Sequence, residues 1–282
     1  MRKQNKGHRK VRKNKAGPNF SGQHLMHNKQ IIQDIVALGN VSLGDTVVEI
    51  GAGKGALTFP LAEKAGKVIA IENDRAFTAL LRTKLQDMSN VQIVERDFLE
   101  SFLPQKSYKV VANIPYAITT PIMNKLLSGP TDALKQAVLM IEEGAAKRFT
   151  GQPITNPYIL AWRMWFDIHL VQVVPRRHFS PPPKVDSAII LIRRKEQTIP
   201  KGEYYRFLGL AQWALKHPQN PIYVALQDLF TPPQLKRLMR SASCDRSKAI
   251  SSLTLHQWSI VFQTMKEHVQ PVRWPKGKKG RI

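Results

Sequence analysis

Val47-Val48-Glu49-Ile50-Gly51-Ala52-Gly53-Lys54-Gly55 carries a run that fits a buried strand straight into a turn with three glycines. Glycine lets the backbone turn sharply and approach a ligand with no Cβ in the way. The helical spacing that begins near Leu57 places unpaired helix-start N–H groups beside that turn. This is the signature of a nucleotide-like ligand at the carboxyl end of a first strand, although such a turn also occurs as plain structure in α/β domains. The chain beyond it decides between the two.

The strand-then-helix logic repeats. A helix over about 56–65 ends at Gly66, and a strand over 67–71 runs to Glu72-Asn73-Asp74. A helix through Phe77, Leu80, Leu81 and Leu85 leads to a third strand over 91–94 and then Asp97; a fourth strand over 108–112 ends at Asn113. A helix over 122–127 and a strand over 136–141 follow, which predicts a mostly parallel, doubly wound sheet. Upstream, Asn28 is placed to cap a helix through Ile31, Ile32, Ile35, Val36 and Leu38. Downstream, helices are expected over 145–149 and 158–166. Strands over 168–174 and 187–192 then form a hairpin that finishes the sheet, its long Pro-rich loop carrying Phe179 at the tip. From Tyr204 onward the pattern is helical, over 204–215, 224–229, 233–241 and 255–269, with Thr231 and Gln234 spaced as a capping box.

Charge is the strongest bulk signal: 43 basic against 20 acidic residues in 282, a formal +23. An excess of this size points to a polyanion, with nucleic acid favoured over an anionic membrane surface because no basic amphipathic helix stands out. Residues 1–16 hold eight Lys or Arg and no acid, and the stretch from Arg273 adds five more, so about ten net charges remain on the body between them. The expected organisation is a disordered basic arm over 1–16, an α/β domain over 17–193, a small all-helical domain over 194–270 and a basic tail over 271–282. No window has the roughly 18 consecutive apolar residues of a membrane span. A single cysteine, Cys244, leaves no internal disulfide and suits a reducing cytoplasm.

Ligands of doubly wound sheets bind at the strand ends, which here supply Gly51 and Gly53, Glu72, Asp97 and Asn113. An acid about twenty residues past the glycine turn can accept both hydroxyls of a ribose. Asp97 can accept a hydrogen bond from an adenine amino group. Both NAD and S-adenosylmethionine fit this much, but the spacing Gly-x-Gly-x-Gly departs from the dinucleotide fingerprint. Asn113-Ile114-Pro115-Tyr116 favours the second cofactor. There an amide oxygen, a backbone carbonyl of Ile114 or Pro115 and an aromatic face converge beside a fixed proline turn, a set suited to a flat base with an exocyclic amine. His24 and His27 are three apart with no third ligand, so they read as polar residues near the site entrance and not as a metal site.

Gly51 to Gly55, Glu72, Asp97 and Asn113 to Tyr116 together resemble the ribosomal RNA adenine N6-dimethyltransferase family. Within it the chain is most similar to the Erm methyltransferases that confer macrolide, lincosamide and streptogramin B resistance, over residues 19–193 and in the helical tail. The resemblance implies a Rossmann-like class I S-adenosylmethionine-dependent methyltransferase fold with a helical C-terminal domain. It also implies a monomeric bacterial cytoplasmic enzyme that dimethylates N6 of one adenine of 23S ribosomal RNA, in the peptidyl-transferase region. Gly17-Pro18-Asn19-Phe20-Ser21 stands where the family usually has Gln-Asn-Phe-Leu, so Asn19 and the Ser21 backbone are expected at the methionine end of the cofactor. Phe179, in His178-Phe179-Ser180-Pro181, matches the family's second aromatic residue against the flipped adenine. Three other readings share part of the pattern: the housekeeping relative that dimethylates adjacent adenines of 16S RNA, a DNA adenine methyltransferase, and a non-enzymatic RNA-binding protein.

Overall fold

The computed structural model describes residues 24–129, 132–196 and 199–277. The expected basic arm, Asn19, Ser21 and the last five residues of the tail lie outside that set. In chain order the strands are β1 (Leu25–Met26), β2 (Thr46–Ile50), β3 (Lys67–Glu72), β4 (Val91–Glu95), β5 (Tyr108–Asn113), β6 (Leu134–Glu142), β7 (Phe166–Val174), β8 (Phe179–Ser180) and β9 (Ser187–Arg194). Helices α1 (Lys29–Leu38), α2 (Thr58–Ala62), α3 (Arg75–Lys84), α4 (Thr119–Leu127), α5 (Glu143–Thr150) and α6 (Pro157–Trp165) alternate with them. Four more, α7 (Tyr204–Ala214), α8 (Ile222–Leu226), α9 (Pro232–Ser241) and α10 (Leu255–His268), form the helical C-terminal region.

The main sheet has seven strands in the order β4-β3-β2-β5-β6-β9-β7. Strands β2 to β6 run parallel, and β9 and β7 close one edge antiparallel. Val47, Val48 and Ile50 are fully buried, as a strand covered on both faces requires. From β2 the chain winds outward through β3 and β4, then crosses back to β5 and winds the other way. The order therefore reverses between β2 and β5, which opens a crevice at their carboxyl ends. Gly51 and Asn113 are the residues found there.

Helix α1 begins where the sequence placed it, with the Asn28 side chain accepting from Ile31 N–H at 3.2 Å and Ile31, Ile35 and Val36 facing the sheet. The Thr231 capping box of α9 is also present. The hairpin over β7 and β9 forms with Val174 opposite Ser187, but β9 also pairs with β6, so β9 lies inside the sheet and β7 at its edge. Phe166 opens β7 and does not extend the preceding helix, because it pairs with Arg194. The helix after the glycine turn is only five residues long. Buried aromatic residues join the sheet layer to the C-terminal helices: Trp165, at the end of α6, meets Tyr204 with ring centroids 5.1 Å apart and Phe207 at 5.8 Å.

One element has no counterpart in the sequence pattern. β1 and β8 pair antiparallel as a two-stranded ribbon, Leu25 opposite Ser180 and Met26 opposite Phe179. This corrects the expectation for Phe179. Its ring is not an exposed loop tip but is 2% exposed, packed in a cluster with Met26, Val174 and Met140. The ribbon holds its backbone and draws the side chain inward. Phe179→Ala is accordingly expected to destabilise the fold by about 3–5 kcal/mol, the range for deleting a core aromatic, which chemical denaturation can measure.

Candidate active site

The crevice between β2 and β5 is a cavity of about 820 Å³. Gly51 and Gly53 form its floor, with Glu72, Asp97, Asn113 and Tyr116 around it. Ile114 and Pro115 also reach the lining. All the sequence-predicted site residues among the described ones are thus brought together, except Phe179. A smaller cavity of about 310 Å³ adjoins it, sharing Gly51, Gly53 and Asn113 and adding Glu49 and His27.

The glycine turn is left-handed at Gly51 (φ +72°) and Gly53 (φ +56°), backbone that a side chain would strain. A Cβ on Gly53 would also press to 3.2 Å from the Leu25 side chain. The turn is tied to the next strand: Gly51 N–H donates to the Ile71 carbonyl at 2.8 Å, and Gly53 N–H donates to Glu72 Oε2 at 2.8 Å. Glu72 Oε1 accepts from Asp74 N–H at 2.8 Å, so both oxygens of this 7%-exposed carboxylate are held by backbone donors. An ionised carboxylate has about four acceptor positions, which leaves room for two ligand hydroxyls. Asp97 caps the short turn Phe98–Glu100, its Oδ1 accepting from Leu99 N–H at 2.8 Å.

At the end of β5, Asn113 Nδ2 donates to the His24 carbonyl at 3.1 Å. A carbonyl can only accept, so this contact fixes the amide with its nitrogen toward β1 and commits its oxygen to the other direction. Ile114 N–H donates to Met140 O at 3.2 Å, and the Pro115 carbonyl accepts from Ile118 N–H at 3.2 Å, which closes the turn. The Tyr116 hydroxyl is hydrogen-bonded to the Ser187 hydroxyl at the start of β9, which orients the ring. Burial, partly offset by that bond, raises the Tyr116 pKa, so the phenol stays protonated.

The sequence reading placed His24 and His27 only near the site entrance, and it missed Phe98 and Glu49 as lining residues. His24 lines the large cavity: its ring lies 5.8 Å from that of Tyr116, tilted by 38°, and its Nδ1 donates to the Pro181 carbonyl at 2.8 Å. His27 lines the smaller cavity. Among the described residues, the segment that meets the glycine turn is 24–27. Gln23-His24-Leu25-Met26 offers a glutamine-led tetrapeptide that could have signalled this. Phe98, 4% exposed, joins Asp97 in the lining. Glu49 was read only as part of a buried strand.

Glu49 is 2% exposed and accepts from the Thr58 hydroxyl at 2.6 Å. Burial pushes its carboxyl up to about 8, with the Thr58 bond acting against the shift and the nearby Glu72 charge adding to it. The ordinary value is 4.5, so between pH 4.5 and about 8 the folded state binds more protons than the unfolded chain. The stability tied to Glu49 is then fully present below 4.5 and is lost as pH rises toward 8. Glu49→Gln removes this dependence. Its melting temperature relative to the wild type is expected to climb by several degrees between acidic and mildly alkaline buffer, as thermal melts across that range would read.

The comparisons with known proteins bear on the family and the fold. Residues 14–267 match the ribosomal RNA adenine dimethylase family. An rRNA adenine N-6-methyltransferase of Bacillus licheniformis is 48% identical over all of this chain and 99% of its own length. The ribosomal RNA small subunit methyltransferase A of Ligilactobacillus salivarius is 35% identical over 78% of this chain and 79% of its own. Among solved structures, that of the 23S rRNA methyltransferase ErmE superposes with a TM-score of 0.75 at 24% identity, covering 86% of this chain and 99% of the other.

Proposed function

Because the chain belongs to the ribosomal RNA adenine dimethylase family and is an S-adenosylmethionine-dependent rRNA adenine N6-methyltransferase, we propose that its target is one adenine of 23S ribosomal RNA. The proposed product is the dimethylated base in the peptidyl-transferase region, which blocks macrolide, lincosamide and streptogramin B binding. The observation that carries the reading is the single cavity in which the glycine turn, Glu72 and Asp97 share walls with Asn113 and Tyr116. A cofactor half and a base-handling half are within reach of one another there.

The cradle fits the cofactor. The glycine floor leaves space that a Cβ would fill, Glu72 and Asp97 stand at successive strand ends for ribose and adenine, and His24 to His27 flank the methionine side. When bound, S-adenosylmethionine supplies an electrophilic sulfonium methyl. The chain's own task is then to bring the target amine to that methyl and keep it there. Tyr116 offers a ring whose orientation Ser187 fixes, on which a base swung from its stack can lie. The Asn113 oxygen, freed by the His24 contact on the amide nitrogen, accepts one amine hydrogen. The Ile114 carbonyl is the better second acceptor, since that of Pro115 already closes the turn. Accepting both hydrogens draws electron density onto the amine nitrogen and favours tetrahedral geometry there, and the remainder of the rate enhancement is alignment. Phe179 enters this reading as the packing beneath β1, which keeps His24 at the cavity mouth.

The basic body, with Lys236, Arg237, Arg240, Arg246 and Lys248 clustered in and after α9, suits a phosphate backbone. Its further proposed attributes are a monomeric state and a cytoplasmic location. No helix among the described residues is long and apolar enough to cross a membrane. A second reading, dimethylation of small-subunit RNA, is favoured by the 35% identity to a small subunit methyltransferase A; Ile114 in the motif, the basic ends and the helical tail favour the first. Expression in a macrolide-susceptible bacterium tests the choice. Resistance to all three drug classes that disappears with Asn113→Ala supports the 23S target, whereas wild-type expression without any change in susceptibility contradicts it.

A further inference from the structure

Lys125 lies in the last turns of α4, the helix that begins just past Tyr116. It is not among the lining residues, yet its ammonium is wholly engaged by the opposite wall of the cavity. Nζ donates to the carbonyls of Phe98 at 2.7 Å, Leu99 at 2.8 Å and Ser101 at 2.5 Å. An ammonium has three hydrogens, and all three go to one turn of backbone. Nζ also stands 5.0 Å from the centroid of the Phe98 ring, a cation–π distance.

The turn so held is the one that Asp97 caps. Without a cation at its centre, three carbonyl dipoles pointing at one spot repel each other, and partly buried carbonyls lose their partners. The Ser101 hydroxyl adds a bond to the Asp97 carbonyl at 2.8 Å. On its upstream side Asp97 is held by β4 and by Arg96 N–H donating to the Glu72 carbonyl at 3.0 Å; on its downstream side it is held by residues 97–101 and the lysine that gathers them. Exposed lysines on a helix face do not satisfy three consecutive-turn carbonyls, so a merely solvated cation does not describe this residue.

We propose that Lys125 is a positioning residue for adenine recognition: its ammonium sets the 97–101 turn so that the Asp97 carboxylate stands where the cofactor's exocyclic amine meets it. The inference rests on the assignment of Asp97 to the cofactor adenine. It also couples the two halves of the site physically, because the same helix begins three residues after the base-handling motif ends at Tyr116.

The test is calorimetric and needs no turnover. The full chain, as wild type, Lys125→Met, Lys125→Gln and Asp97→Asn, is titrated with S-adenosylhomocysteine and with S-inosylhomocysteine. The inosyl compound carries a carbonyl oxygen where the adenosyl compound has its amine, so a carboxylate there repels it. Wild type is expected to prefer the adenosyl ligand by about tenfold or more, the scale of one hydrogen bond to a charged group. Lys125→Met and Asp97→Asn should both shrink that ratio to about threefold or less. A role limited to general stability would weaken both ligands equally and leave the ratio unchanged. Folded Lys125→Met with the wild-type ratio overturns the inference, and if that variant does not fold, the ratio in Lys125→Gln decides in the same way. A wild type that does not discriminate refutes the Asp97 assignment, and the role of Lys125 falls with it; failure of both ligands to bind wild type at all would instead refute the cofactor cradle.

Discussion

Asn113→Ala is expected to reduce methyl transfer by about a thousandfold or more, the scale on which a single preorganised polar group in a reaction centre acts, while RNA affinity stays near wild type. The side chain stands at the end of β5 with its nitrogen spent on the His24 carbonyl, 3.1 Å away. Alanine removes both that donor and the oxygen proposed as the acceptor for the amine hydrogen. The substituted residue lines the crevice and carries no charge, so a gel-shift titration on RNA should change little. Single-turnover transfer measured beside it separates the two effects. Joint loss of binding and transfer would mean that Asn113 supports the local fold and has no separate part in the chemistry. Asn113→Asp is informative as well, because it keeps an oxygen but replaces the donor to His24 with an acceptor and places a charge beside that carbonyl.

Glu72→Ala has the second largest expected effect, on cofactor binding. Two losses combine. The ribose hydroxyls lose a charged acceptor, and the N–H groups of Gly53 and Asp74, each 2.8 Å from a Glu72 oxygen, lose theirs. Charge-assisted hydrogen bonds contribute roughly 1.5–3 kcal/mol each, so affinity for S-adenosylmethionine should fall by about a hundredfold or more. Glu72→Gln keeps one acceptor and should fall between. Titration calorimetry reads this directly, and an affinity equal to wild type would refute the ribose assignment.

Much of the architecture was open to reading because it depends on local signals. β2 ends at Ile50, where the sequence reading puts the glycine turn, since Val47, Val48 and Ile50 suit a strand covered on both faces and the glycines beyond it must bend. The acids and the asparagine at strand ends were legible for the same reason: the sheet's own topology sends those positions into one crevice. The ribbon of β1 and β8 was not, because two-residue strands have no periodicity and their pairing joins residues about 150 apart. With it went the contacts of His24 and the burial of Phe179. A loop aromatic looks the same in sequence whether or not another segment covers it. Glu49 escaped notice on different grounds. Its place in a strand was plain, but the raised pKa arises from complete enclosure by neighbours that no short window contains. Lys125 was hidden likewise, as a basic residue on an amphipathic helix whose three acceptors lie 24 to 27 residues upstream.

On the proposed function, this cavity carries a methyl group from S-adenosylmethionine to the N6 of one adenine in 23S RNA. Isotope-labelled cofactor, incubated with the protein and separately with protein-free 23S and 16S RNA, tests it most directly when the products are digested to nucleosides and the modified position is mapped by reverse-transcription stops. Label is expected as N6-dimethyladenosine at a single stop in 23S RNA, with none in 16S RNA. Label confined to 16S RNA, or recovered on any base other than adenine, would contradict it.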